Sequence, residues 1–190
     1  MSSELKLSGD AAGRIILQGN DTITTDQTFT FPDTGGTLDR IERAGNILQV
    51  VSAETSTEVT NSLTSFEDTG LSATITPTSA SSKILVMIDQ QFEASRTGNA
   101  SGVGLNVVRN STTIHSAVTA GGPCTFYVAE ATQIYGRVQM TILDDPATVS
   151  AVTYKTQGKA SFPTSSGLVN FQKNTNIDGV SRLILMEVAA

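Results

Sequence analysis

Residues 83–92 read KILVMIDQQF, and the five positions from Ile84 to Ile88 are all apolar. A strand in a half-solvated antiparallel sheet alternates apolar with polar; a strand apolar at every position is covered on both faces. A second run of this kind, Leu183-Ile-Leu-Met186, lies near the other end of the chain. Both runs therefore read as interior strands, with one face of each in a core. The other face meets a second surface, which is either a neighbouring subunit or a long loop.

Outward from these two runs, the text from Asn46 onward is strand after strand. Candidates are Asn46–Ser52, Leu71–Thr76, Lys83–Phe92, Val103–Arg109, Thr112–Val118, Thr125–Val128, Gln133–Leu143, Val149–Thr156, Leu168–Phe171 and Arg182–Val188. They are punctuated by Gly, Pro, Asn and Ser at the spacing of a sandwich or barrel. The composition agrees: aromatics are 5%, charged residues 16%, and there is no Trp, while Ser and Thr make up roughly a quarter of the chain, well above ordinary usage. The expected fold is all-β: a jelly-roll-like antiparallel sandwich over residues 46–190, preceded by a short β attachment segment over residues 1–45.

That first segment has its own pattern. Arg14-Ile-Ile-Leu17 stops at Gln18-Gly19-Asn20-Asp21, and from Gln27 the alternation puts Phe29 and Phe31 on one face and Thr28 and Thr30 on the other. Pro32 cannot donate to a ladder and Gly35-Gly36 permit positive φ, so the strand reverses there. The segment carries too few large apolar residues to offset the entropy of ordering it alone. Its stripe needs another surface, either copies of itself around one axis or the larger domain. Leu38 to Ala44 could form about two helical turns, with Thr37 as N-cap and Gly45 past the end. Leu38, Ile41 and Leu48, spaced by three and seven residues, have a coiled-coil-like spacing over a single heptad, and the stretch reads as a linker or neck.

Charge and chemistry exclude more than they assign. Twelve Lys and Arg against 18 Asp and Glu give a net charge of −6 and a pI near 4.7, so phosphate backbones and anionic membranes are repelled. No stretch approaches the ~20 apolar residues of a membrane-spanning helix, and MSSELKLSGD lacks the basic and apolar regions of a signal peptide. The expectation is a soluble protein with no nucleic-acid partner and no membrane insertion. The one cysteine, Cys124, cannot form an intrachain disulfide and reads as a small buried residue. With His115 the only histidine and no nucleophile elbow, neither a His/Cys metal site nor a Ser-His-Asp triad is expected. Asp144-Asp145 before Pro146 starts a turn, with a bound cation as its alternative. No enzymatic activity and no cofactor are expected.

Several stretches also resemble known proteins. Gly13-Arg-Ile-Ile-Leu-Gln-Gly19 followed by Asp21–Leu38 resembles the repeat unit of tail-fibre and related virion proteins of tailed bacteriophages. Ile47–Ser52, Gly70–Val86, Leu143–Ala147 with Ser150–Lys155, and Leu185–Ala190 resemble a C-terminal module of the same kind of protein. The middle, Asp89 to Tyr135, matches loosely. The resemblance implies a homotrimeric virion surface protein assembled in a bacterial host cytoplasm, with its C-terminal sandwich as a head.

Under it, Ile15, Leu17, Phe29, Phe31, Leu38 and Ile41 become the intersubunit and attachment residues. Arg96, Asn99 and Tyr127, in the loosely matching middle, become partner-facing loop residues. The implied partners are copies of the chain itself and other virion proteins of tail or capsid. For a short tail fibre a bacterial surface receptor is added; the alternative is a capsid decoration or head-fibre protein gripped by segment 1–45.

Overall fold

The computed structural model describes residues 44–61, 65–96, 99–117, 124–128, 132–160, 168–173 and 179–190. Among them there are strands, turns and no helix. The strands are β1 (Ile47–Thr55), β2 (Val59–Asn61), β3 (Glu67–Ile75), β4 (Lys83–Arg96), β5 (Asn99–Arg109), β6 (Thr112–Ala117), β7 (Cys124–Val128), β8 (Thr132–Asp144), β9 (Val152–Ala160), β10 (Leu168–Phe171) and β11 (Ser181–Val188).

All pairings are antiparallel and divide between two sheets. In the first, β8 runs along one edge of β4, while β11 and then β10 share the other edge, pairing with Lys83–Asp89 and Phe92–Ser95 in turn. Strand β1 continues the sheet beyond β11, and β2 does so beyond β10. Thus β1/β2 and β10/β11 are each one row interrupted near its middle. In the second sheet β9 lies on one edge of β5, with β3 outside it, and β6 and β7 divide the other edge.

Counted as rows in chain order, the sheets read 1-8-3-6 and 2-7-4-5. That is the topology of a jelly roll. Both doubly apolar runs are interior, as expected: β4 between β8 and β10/β11, and β11 between β4 and β1.

Alternation explains the packing. Ile84, Val86, Ile88, Gln90, Phe92 and Ala94 point into the sandwich from β4 and are buried. From the facing sheet come Leu71, Ala73 and Ile75 of β3, Val107 of β5, and Val152 and Tyr154 of β9. These meet Ile84, Val86, Ile88, Leu183 and Leu185 in one core cluster. A second cluster joins Phe92, Ala94, Val103, Leu105, Val138, Ala160, Val169 and Phe171.

Between the clusters lies a buried polar layer where β10 breaks from β11. Gln172, in the left-handed region at φ 53°, turns the chain out of the row. Two rungs of β4 thereby lose ladder partners, and buried backbone and amide groups need replacements. Ser181 Oγ accepts from Gln91 N at 2.9 Å and from Gln90 Nε2 at 2.9 Å. Gln90 Oε1 accepts from Thr156 Oγ1 at 2.8 Å and from Thr69 Oγ1 at 3.2 Å across the sandwich.

Strand boundaries differ from expectation at several ends: β1 runs on to Thr55 and β4 to Arg96, β5 starts at Asn99, and Tyr127 is in β7, so the positions expected in partner-facing loops lie in strands. Strand β2 has three residues, too few to leave a periodic signal. Strand β3 starts earlier, at Glu67, through a register irregularity beside Gly70 at φ 84°. Strand β9 runs from Val152 to Ala160 because residues 145–151 form the turn, with Ala147 at φ 50° and Val149 exposed.

Candidate interaction surface

The side of the first sheet that faces away from the core changes character along its length. Near the start of β4 the register aligns Val50, Met186, Leu85 and Leu143 in one row across β1, β11, β4 and β8. The next row is Ser52, Ile184, Met87 and Thr141. On the other flank, Ile47 and Val188 are paired.

These residues alternate with neighbours that are buried in β4 and β11 and partly buried in β1 and β8, so they point outward. Val50 is 57% exposed, Leu143 58%, Ile47 50% and Met87 38%, so the apolar rows are open rather than capped by a loop. A groove of about 330 Å³ runs between Met87, Thr141, Arg182 and Ile184. This is the outer face of the two doubly apolar runs, and no described residue covers it.

Ion pairs bound the apolar rows at both ends. On one side Lys83 Nζ lies 3.0 Å from Asp145 and holds that carboxyl below its ordinary pKa. On the other, Arg137 makes a two-pronged contact with Asp89 at 2.7 and 2.8 Å, and Arg182 lies 3.5 Å from Glu54.

Asp144 points instead to the gap between the sheets. There it accepts from Arg109 Nη1 at 2.8 Å and from the Tyr154 hydroxyl at 2.7 Å. Burial and that carboxylate push the Tyr154 hydroxyl pKa well up, so it stays a donor. Asp144 and Asp145 are therefore engaged by cationic side chains, and among the described residues no group of three or more potential metal ligands occurs.

Farther along the same outer face the residues are polar and buried. Asn170 Nδ2 donates to Glu93 at 2.8 Å, and Thr60 Oγ1 donates to Asn170 Oδ1 at 2.6 Å. Lys173 N donates to Gln91 Oε1 at 2.7 Å, and its ammonium pairs with Glu58 at 2.7 Å, which raises the lysine pKa. Glu93 and Gln91 are almost fully buried.

The two ends of the head are opposite one another. Gly45 N donates to Ala189 O at 2.8 Å and Ala189 N to Asn46 O at 2.9 Å, so residues 45 and 46 lie at the rim of the apolar rows. Fourteen residues of β4 separate that end from Arg96, a distance on the order of 40 Å. Arg96 pairs with Thr132, Asn99 with Val128 and Ala100 with Tyr127, so the three predicted partner-facing positions gather at the far end. Cys124 lies in β7 opposite Val103, and His115 is an exposed residue of β6.

The predicted attachment residues Ile15, Leu17, Phe29, Phe31, Leu38 and Ile41 lie outside the described residues, as does the predicted neck helix but for Ala44; Gly45 has φ 89°. Val50 and Leu143 were missed as surface residues. Alternation in β1 and β8 gives their side of the strand, but only register aligns them into one row.

No family model matches the chain, and no curated protein does. Among solved structures, that of infectious bursal disease virus, Gt strain, is similar at a TM-score of 0.28 and 12% identity. The overlap takes in 87% of this chain and 43% of that one, so this chain spans less than half of that chain's length.

Proposed function

We propose that the protein is a structural component of a bacteriophage virion surface, a homotrimer of the short tail-fibre type that contributes to host adhesion. Segment 1–45 joins the three chains and attaches them, with Phe29 and Phe31 in the intersubunit core. The jelly roll stands outward as the head.

One observation carries this reading: the head is polar end to end. The chain arrives from segment 1–45 at one end, and Arg96, Asn99 and Tyr127, at or near the ends of β4, β5 and β7, gather at the other. A fibre head needs that order, with attachment at the base and recognition at the tip. The stretches resembling phage fibre proteins agree with it.

The test is gold labelling of intact particles with an antibody against the head. Label at the tail tip is the expected result. Label distributed over the capsid would reassign the protein to capsid decoration, and absence of label from the particle would overturn the proposal. In the purified protein, Phe29→Ala with Phe31→Ala should abolish the trimer in sedimentation equilibrium while the head still folds and melts as a cooperative unit. Each truncation removes about 3–5 kcal/mol of core packing per chain.

A further inference from the structure

We infer that the open apolar rows of the first sheet are where the heads of the oligomer meet, so that the occupant of Val50, Met186, Leu85, Leu143, Ile184 and Met87 is the same face of a sister chain. The inference rests on the homo-oligomeric reading and adds to it the surface by which the heads associate.

Size argues first. Four strands by three rows span on the order of 400 Å², of which the eight apolar positions cover about two thirds, no more than the largest patch on an ordinary monomer. A free-standing specific complex buries about 800 Å² per partner. The patch is thus too small to capture a diffusing protein by itself. It suffices for a partner already tethered nearby, because a short linker supplies an effective concentration of about 1 mM. Chains joined through residues 1–45 are tethered in this way: residues 45 and 46 are tied to Ala189 at the rim, and Ile47 is the first residue of the apolar rows.

Charge argues second. Each chain carries a net −6, so two copies repel over most of their surface. This face is locally neutral. Lys83 is matched by Asp145, Arg137 by Asp89 and Arg182 by Glu54. Copies can bring it together without repulsion, whereas a strongly charged foreign partner would find no field to follow. Three such faces turned toward a threefold axis would cover the rows that a single chain leaves open.

Methionine oxidation reads the face directly. Of the four methionines in the chain, Met87 and Met186 lie on it, while Met140 packs inward against the core. A face with a dissociation constant of about 0.1 mM, tethered at about 1 mM, is closed roughly nine-tenths of the time, which slows oxidation about tenfold. In the full-length chain treated with dilute peroxide, Met87 and Met186 should oxidise about tenfold more slowly than in Val50→Glu with Leu143→Glu. Both substituted side chains are more than half exposed, so the head keeps its fold, and Met140 serves as the internal check. The same acceleration should follow from Phe29→Ala with Phe31→Ala, which removes the tether without touching the face.

A trimer whose Met87 and Met186 oxidise equally fast in the wild type and in both variants would overturn this inference and leave the trimer standing. A monomer with both methionines protected would overturn it together with the trimer, because residues 1–43 of the same chain would then be the cover.

Discussion

Toward Gly45 the sandwich core is aliphatic but for the Tyr154 ring, built from Ile75, Ile84, Val86, Leu183 and Leu185, whereas toward Arg96 two phenylalanines fill it. Those rings fit because glycines lie beside them. A Cβ on Gly136 would come within 2.7 Å of the Phe92 ring, and one on Gly158 within 2.0 Å of the Phe171 ring. The outer side of the sheet changes at the same level, from exposed apolar rows to buried Gln91, Glu93 and Asn170. One strand, β4, runs through both halves, and its sequence changes with them: Ile84–Ile88 is apolar on both faces, then Gln90-Gln91 marks the break, then Phe92 and Ala94 alternate with Glu93. Interiors are close-packed, so each half can specify its own shape only if the polar layer between them is largely satisfied; Gln90 is bonded from both sheets, while Gln91 Nε2 is left without a partner.

The largest effect that breaks this comparison is truncation of an aromatic. Phe171→Ala should cost about 3–5 kcal/mol in urea unfolding, and amides of β2 and β10 should lose hydrogen-exchange protection before those of β1 and β11. Equal loss along both halves would mean that the polar layer does not separate them.

Overpacking comes next. Gly158→Ala should destabilise by about 1–3 kcal/mol. Combined with Phe171→Leu it should cost less than the sum of the single changes, because the shorter side chain vacates the position of the clash. Additivity would show that the strand shifts as a whole instead of pressing on the ring.

Of similar or smaller size is the polar layer itself. Gln90→Leu leaves Thr69, Thr156 and Ser181 with unmet hydrogen bonds, at about 1–3 kcal/mol. Gln90→Glu at a pH where the carboxyl is neutral should recover part of this, since it can still accept from Thr156.

A pH effect confined to the Gly45 half sharpens the contrast. Glu187 is fully buried, which by itself pushes its carboxyl pKa up. Hydrogen bonds from Gln49 Nε2, at 2.5 Å, and from Thr78 N and Oγ1, at 2.7 and 2.8 Å, outweigh that and bring it below its ordinary value. A carboxyl with a depressed folded pKa contributes stability above its unfolded pKa and loses it as pH falls through the folded one. As pH falls below about 4.5 and on through the depressed folded value, the chemical shifts of β1 and β11 should therefore change, later than those beside ordinary carboxylates, and Glu187→Gln should remove this dependence. The smallest effect in urea unfolding is expected for Lys83→Ala, because its ion pair with Asp145 is exposed and screened by solvent.

Much of this was legible from the residues. Ile84–Ile88 and Leu183–Met186 identified both interior strands because a strand covered on both faces must be apolar at consecutive positions, and period-2 runs located most of the others. Short-range periodicity could not find β2, whose three residues hold their place through pairing with β10. Nor could it show that β10 and β11 are one row, or that Gln90, Gln172 and Ser181 are close, since they are joined by pairings between strands distant in sequence. The apolar rows are the sharpest case: the sequence determines that Val50, Leu85, Leu143 and Met186 point to one side of their own strands. Only the tertiary structure decides that these four sides lie in register on one face, because register depends on which strands pair, and pairing is set by the packing of both sheets together.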